Sequence, residues 1–303
     1  MKKIIITLGD YNGIGPKCVE GALNKLNSKR TKFYLVGDKS IFKRLKFKSS
    51  LNVEILERNN KVIFNPGKAS VYSGRASIDY LNYALDFMRK NDIHSLVTMP
   101  ISKEAISKAG SKFKGHTDML QKKFNVDEVV MAFWSNKIKV TLSTIHVPLG
   151  KVLNNINTEK LIKQIKIINE NFTKILNRKP SIALCSINPH ASENGTLGSE
   201  DLDITIPAYK KLKKNGVNIS APYPSDTLFS KKNIDKYDIF HAIYHDQGLI
   251  PFKMLSFDTG VNFTLNLPII RTSPDHGTAY DIAWKKEPSY LSTQEAIKLA
   301  QKL

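Results

Sequence analysis

Five of the seven histidines in this 303-residue chain stand where a strand candidate ends or inside a Gly/Pro-rich loop. His146 follows Ser143-Thr144-Ile145, His190 lies in Asn188-Pro189-His190-Ala191, and His245 opens His245-Asp246-Gln247-Gly248. His116 sits in Gly115-His116-Thr117-Asp118 and His276 in Asp275-His276-Gly277-Thr278. Neutral imidazole suits zinc and its neighbours, and three protein donors with an open position describe a catalytic rather than a closed structural site. Ligands of an open α/β sheet bind beyond the carboxyl ends of its strands, so His146, His190 and His245 point toward a common crevice. Each histidine taken alone reads equally as a hydrogen-bonded loop residue, and no short ligand motif such as H-E-x-x-H is present.

Three other polar residues interrupt an apolar stretch from Leu249 to Ile270: Lys253, Asn262 and Arg271 at its edge. A charge among strands is costly unless it is paired or meets a ligand. A guanidinium and an ammonium near a metal suit a small substrate carrying phosphate and carboxylate; the alternative is that they snorkel to the surface. The segment Leu8–Pro16 places three glycines at a strand-to-helix turn, where backbone could approach an anion. It lacks both G-x-G-x-x-G and a Walker lysine, so a plain tight turn explains it as well.

The elements that must position these residues alternate between apolar runs and helical-period segments, the mark of βαβ units. Strand candidates are Ile4–Leu8, Phe33–Val36, Leu96–Thr98, Val140–Ile145, Ser181–Ile187 and Tyr237–Tyr244, with Val261–Leu267 alternating enough for an antiparallel or edge strand. Ile78, Leu81, Leu85 and Met88 mark one amphipathic helix, and Leu161, Ile162, Ile165, Ile168, Phe172 and Ile175 the clearest one. The expected fold is a two-lobed α/β/α sandwich with mostly parallel sheets. Its lobes would be residues 1–135 plus 270–303 and residues 136–269, the first crossing near 130–140.

Composition narrows the class. Hydrophobic residues at 41% and charged residues at 24% are those of a globular protein. No apolar run approaches the roughly 20 residues that span a bilayer, and no secretory h-region is present. With two cysteines only, the expectation is a reduced, cytoplasmic protein without a membrane partner. The net charge of +19 raises the question of nucleic acid, but 39 of 46 basic residues are lysines scattered along helical stretches. A nucleic-acid footprint requires clustering, so none is expected as partner.

Read in order, LGDYNGIGP, MPISK, GHTDML, STIHVPL, NPHASENGTLGSE, PYPSDTLF, YHDQGLIPFK and GVNFTLNLPIIRTSPDHGTAYDIA resemble the motifs of the 4-hydroxythreonine-4-phosphate dehydrogenase family. The match runs from about residue 4 to residue 283, and HGTAYDIA also resembles the adenosine-binding loop of isocitrate and isopropylmalate dehydrogenases. The resemblance implies a homodimer with active sites shared between subunits. It implies a divalent metal (Zn, Mg or Co) on His146, His190 and His245, and substrate contacts from His116, Thr117, Lys253, Asn262 and Arg271. The cofactor, NAD or NADP, would meet the loop of His276, Gly277, Thr278 and Asp281. The implied reaction oxidises 4-phosphooxy-L-threonine to a β-keto acid that loses carbon dioxide, in vitamin B6 synthesis.

In that reaction the metal would bind the substrate hydroxyl and later polarise the ketone, and Asp246 and Lys103 are the candidates for proton transfer, Asp246 alternatively orienting a histidine or capping a turn. Rival readings are a dehydrogenase of threonate or erythronate 4-phosphate, a phosphate acyltransferase of the same wider fold, and a metal-dependent hydrolase. The chain departs from the family pattern at Tyr11-Asn12 (usually Pro-Ala), Lys17 (usually acidic), Asp118 (commonly Glu), Ser192 (usually Gly), Ala221 (usually Gly) and Trp284 (commonly Gly). None of these removes a proposed ligand.

Overall fold

The computed structural model describes residues 1–26 and 30–303. The chain forms two α/β units. One comprises Met1–Val126, Val261–Phe263 and Leu267–Leu303, and the other Asp127–Gly260 and Thr264–Asn266. The first crossing therefore lies at 126/127, ahead of the 130–140 stretch, because the strand that starts at Val130 already belongs to the second unit. The return is not a single crossing near 269: the strand Val261–Leu265 is itself divided between the units.

The ten strands among the described residues are β1 (Lys2–Thr7), β2 (Thr31–Asp38), β3 (Val53–Arg58), β4 (Ser95–Thr98), β5 (Val130–Trp134), β6 (Lys139–Leu142), β7 (Ile182–Leu184), β8 (Ile239–Ala242), β9 (Val261–Leu265) and β10 (Ile270–Pro274). In the first unit the order is β3-β2-β1-β4-β10, with neighbouring strands parallel, Ile4 opposite Phe33 and Ser95, and Arg271 opposite Leu96. In the second it is β5-β6-β8-β7, with β5/β6 antiparallel and the rest parallel. Strands buried on both faces read as continuous apolar runs, and Ile4, Ile5 and Ile6 are wholly buried. β9 is buried at four of its five positions.

Helices close both units. Val71–Asn91 begins with a reciprocal Ser70/Ser73 capping box and buries Leu81, Leu85 and Met88. Thr158–Leu176 is capped by Asn157, whose side chain accepts from the Lys160 N–H at 2.8 Å, and ends at Asn177 in the left-handed region. It buries Leu161, Ile162, Ile165, Ile168 and Phe172, the stripe its periodicity predicts. Among the described residues no helix is long and apolar enough to cross a membrane.

The parallel arrangement brings chain out at the carboxyl ends of β1, β4, β6, β7 and β8 into the motif-bearing loops. At the end of β1, Gly9 takes φ +66°, and a Cβ there would sit 2.3 Å from the Pro100 carbonyl oxygen. Gly9→Ala adds both left-handed strain and a backbone overlap that neither loop can relieve. We expect it to lower unfolding free energy by at least about 2 kcal/mol in urea titration; an unchanged midpoint would show that the turn is not closed by this contact.

Candidate active site

In the second unit, three strand ends carry the metal-ligand candidates. β6 stops at Leu142 rather than continuing to Ile145. Ser143 and Thr144 still donate their N–H groups to the Ala242 and Ile243 carbonyls, and the Thr144 hydroxyl also reaches the Ile243 oxygen at 2.8 Å. The chain then turns, with His146 at φ +52°. His245 opens the helix His245–Ser256, and its Nδ1 lies 2.6 Å from Asp246 Oδ1. The His146 and His245 rings are 5.8 Å apart, centre to centre. With metal–nitrogen bonds of about 2.0–2.1 Å, two imidazoles on one ion have centres roughly 5–6 Å apart, so this pair fits a divalent metal.

Among the described residues no three His, Cys, Asp or Glu side chains gather closely enough to hold a metal ion. Within one chain, His146 and His245 are the candidate ligands whose rings lie side by side. Residues His190 to Asn194 all have φ between 42° and 65°, a short left-handed turn with the His190 side chain 67% exposed, 3.7 Å from Glu193. Left-handed helical backbone costs ~1–2 kcal/mol per non-glycine residue, so this turn persists only where surrounding bonds fix it. Asp201 supplies them from full burial, accepting from the Ile187 and Asn188 N–H groups and from the Ser192 hydroxyl.

Two more polar residues, which the sequence reading did not single out, tie these loops together. Gln247 accepts from the Ile243 N–H at 2.7 Å and donates to the Ser186 carbonyl at 2.7 Å and the Ser225 hydroxyl at 2.8 Å. His241 is fully buried in β8, its ring nitrogens 2.9 Å from Thr141 Oγ1 and 2.7 Å from Ser143 Oγ. Lys253 is half-buried on the His245 helix, its ammonium 5.4 Å above the Phe257 ring.

The first unit carries the anion-binding candidates. Arg271 is 4% exposed in β10 and donates to Thr98 Oγ1 from Nε at 3.1 Å and Nη2 at 2.8 Å. Burial pulls the guanidinium down to about 10, which leaves it charged at neutral pH. His116, at the start of the helix His116–Lys123, is also buried; burial, then the charge of Arg271, holds its imidazole neutral far below the usual value. Thr117 follows it, partly buried. The Asn262 amide oxygen is buried with no hydrogen-bond partner, an acceptor that a bound ligand would satisfy. Lys103 is exposed at the start of the helix Lys103–Lys108.

The glycine-rich turn is tied down by bonds to residues 65–73 and 278–280. Asp10 accepts from the Asn12 N–H, the Ser73 hydroxyl and the Tyr280 hydroxyl; burial raises its carboxyl above the usual range while these bonds pull it back. Asn12 binds Lys68 and Asn65, and the Thr278 carbonyl accepts from the Ile14 N–H at 3.0 Å. The cofactor-loop candidates thus divide: Thr278 is joined to this turn by its backbone, while Gly277 and Asp281 are exposed and His276 Nδ1 lies 3.0 Å from the Gly277 carbonyl oxygen. Trp284 takes φ +62°, the reason glycine suits this position, and its indole N–H donates to the Tyr11 carbonyl at 2.9 Å.

Two α/β units with mostly parallel strands place the chain in the fold class of the isocitrate and isopropylmalate dehydrogenases. The fold alone is shared with isocitrate dehydrogenase from Methylococcus capsulatus, at 11% identity and a TM-score of 0.52, covering 100% of this chain and 85% of that one. The family model of pyridoxal phosphate biosynthetic protein PdxA matches residues 15–300, and the chain belongs to that family. It is 39% identical over 316 residues to a 4-hydroxythreonine-4-phosphate dehydrogenase from Sulfurihydrogenibium sp. (strain YO3AOP1), covering 99% of this chain and 98% of the relative. It is 34% identical over 323 residues to a D-threonate 4-phosphate dehydrogenase from Salmonella typhimurium (100% and 99% covered). The crystal structure of a 4-hydroxythreonine-4-phosphate dehydrogenase from Klebsiella pneumoniae superposes with a TM-score of 0.89 at 30% identity, covering 99% of this chain and 97% of that one.

Burial pushes the His241 imidazole down to about 3. An unfolded histidine binds its proton below about pH 6.5. Between those values the unfolded chain holds a proton that the folded chain lacks, so acidification destabilises the fold, by up to ~1.4 kcal/mol per pH unit for this residue. His241→Gln should reduce the slope of unfolding free energy against pH between 6 and 4 by close to one proton. A slope identical to wild type would mean that His241 already titrates normally in the folded protein.

Proposed function

We propose that the protein oxidises 4-phosphooxy-L-threonine with NAD or NADP and releases 3-amino-2-oxopropyl phosphate after decarboxylation, in vitamin B6 synthesis. The buried Arg271, held by Thr98 beside the neutral His116, is the observation that carries this reading. A rigid guanidinium supplies paired donors for a phosphate or carboxylate, and a neutral imidazole adds a donor without a second buried charge. Asn262, with its unsatisfied amide oxygen, supports a substrate bearing a donor such as an ammonium or hydroxyl.

In this reading His146 and His245 hold a divalent metal (Zn, Mg or Co) together with His190, the ligands shared between two subunits. When bound, the metal supplies Lewis acidity at the substrate oxygen, and the dinucleotide supplies a hydride acceptor. Asp246 accepts from His245 Nδ1–H, fixing the tautomer that presents Nε2 outward. Asp246 or Lys103 moves the hydroxyl proton, Lys253 and Thr117 join Arg271 and His116 on the substrate, and the loop from His276 to Asp281 faces the dinucleotide. The relative named for D-threonate 4-phosphate supports a second substrate reading, in which a hydroxyl replaces the amino group.

The homodimer is supported by the helix His245–Ser256, which carries His245 and Lys253 yet leaves Ile250, Met254 and Phe257 at its C-cap 59%, 82% and 70% exposed. That spacing makes one apolar stripe, suited to a second copy of the chain. Met254→Asp should convert the protein to a monomer in light scattering and abolish most turnover; a dimer of full activity would refute this interface.

Absorbance at 340 nm tests the reaction directly. Metal-loaded enzyme should reduce NAD or NADP with 4-phosphooxy-L-threonine and release carbon dioxide in equal amount. Faster turnover with D-threonate 4-phosphate would establish the second reading, and no reduction with either would sink both. Arg271→Lys keeps the charge but loses a paired hydrogen bond of roughly 1.5–3 kcal/mol, so kcat/KM should fall about 10- to 150-fold with little change in the KM for NAD. Unchanged kinetics would make Arg271 structural.

A further inference from the structure

The loop that presents His190 holds five consecutive non-glycine residues in left-handed backbone, and a buried carboxylate closes around it. We propose that Asp201 and Ser192 are positioning residues that lock this turn and so set the His190 imidazole for the metal. This rests on the reading of His190 as a ligand.

The geometry is specific. Asp201 Oδ1 accepts from the Ile187 N–H at 2.8 Å and the Thr205 hydroxyl at 2.6 Å, and Oδ2 accepts from the Asn188 N–H at 2.9 Å and the Ser192 hydroxyl at 2.9 Å. One carboxylate therefore grips the two residues that enter the turn and a third in its middle. Asn188 reinforces it, donating from Nδ2 to Ser192 Oγ at 3.2 Å. The carboxylate itself is fixed at the head of a single π-helical turn, Asp201–Thr205, and is wholly buried. Such π turns occur mainly at functional sites.

Ser192 reveals what the clamp must do. At φ +65° a glycine would carry no steric penalty. This chain has a serine, fully buried, whose hydroxyl gains the bond to Asp201 that glycine cannot make. The strain of the side chain and the bond that offsets it are therefore separable by substitution. Ser192→Gly removes both together. Ser192→Ala keeps the strain and removes the bond.

The test compares Ser192→Gly, Ser192→Ala, Asp201→Asn and His190→Ala in the full-length, metal-stripped enzyme. Cobalt affinity is measured by competition with a chromophoric chelator, and amide hydrogen exchange is followed across residues 187–196. The glycine variant should stay within about 3-fold of wild type in cobalt affinity, whereas the alanine and Asp201→Asn variants should lose about 10-fold or more, the scale of losses at residues that support ligands. Exchange across the loop should quicken in the same two variants while the helix Thr158–Leu176 stays protected. Should Asp201→Asn not fold, the alanine–glycine comparison at Ser192 decides alone.

Equal affinity and equal exchange in the Ser192→Ala and Ser192→Gly variants would overturn the proposal. If His190→Ala binds cobalt as tightly as wild type, the ligand reading and the metal-positioning role fail together, and loop exchange then decides whether the clamp itself exists. If His190→Ala weakens binding and Ser192→Ala does not, the ligand reading stands and this proposal is wrong.

Discussion

Where a parallel ladder stops, the N–H and C=O groups of the next residues still need partners, and in this protein buried and partly buried side chains supply them. Asp10 seals the end of β1, Asp201 the exit from β7, and Gln247 the exit from β8. Each takes up backbone groups that would otherwise be orphaned close to the core. That constraint decides which groups remain available for chemistry. Asp10 is consumed by Asn12, Ser73 and Tyr280, so it organises the turn without offering a carboxylate to a ligand. By contrast, the imidazoles of His146, His190 and His245 stay partly or largely exposed on the same loops, their backbones held by others.

The departures from the family pattern obey the same constraint. Tyr11 is buried and its hydroxyl accepts from the Ile63 N–H, while Asn12 takes one bond to residue 65 and one to residue 68. Trp284, in a conformation that favours glycine, is compensated by its bond to the Tyr11 carbonyl and by an edge-on contact with Phe64 at 5.1 Å. Lys17 pairs with Glu20 and Glu287. These changes interlock around the turn and the 276–284 loop, whereas the candidate histidines and Arg271 keep their types.

Much of this was legible from residues alone. Continuous apolar runs marked β1, β2 and β4, and a 3.6-residue period marked the helix Thr158–Leu176. Motif order carried the fold class and the family. What escaped was set by bonds between distant residues. His241 meets Thr141 and Ser143 across about a hundred positions, and Thr98 meets Arg271 across 173. No local pattern announces such partners. The early end of β6 and the left-handed turn at His190 likewise follow from side-chain bonds rather than propensity, and the lone sign of the latter was a serine where the family favours glycine. The return crossing, too, had no local mark, since β9 is divided between the units.

The proposed reaction needs metal binding at His146 and His245 and anion recognition at Arg271. A crystal structure of the full-length protein with a divalent metal and 4-phosphooxy-L-threonine bound tests that assignment most directly. It should place the ion about 2.0–2.1 Å from imidazole nitrogens of His146 and His245, with an anionic group of the substrate in hydrogen-bond contact with Arg271. An ion bound elsewhere, or a substrate whose phosphate and carboxylate both lie away from Arg271, would contradict it.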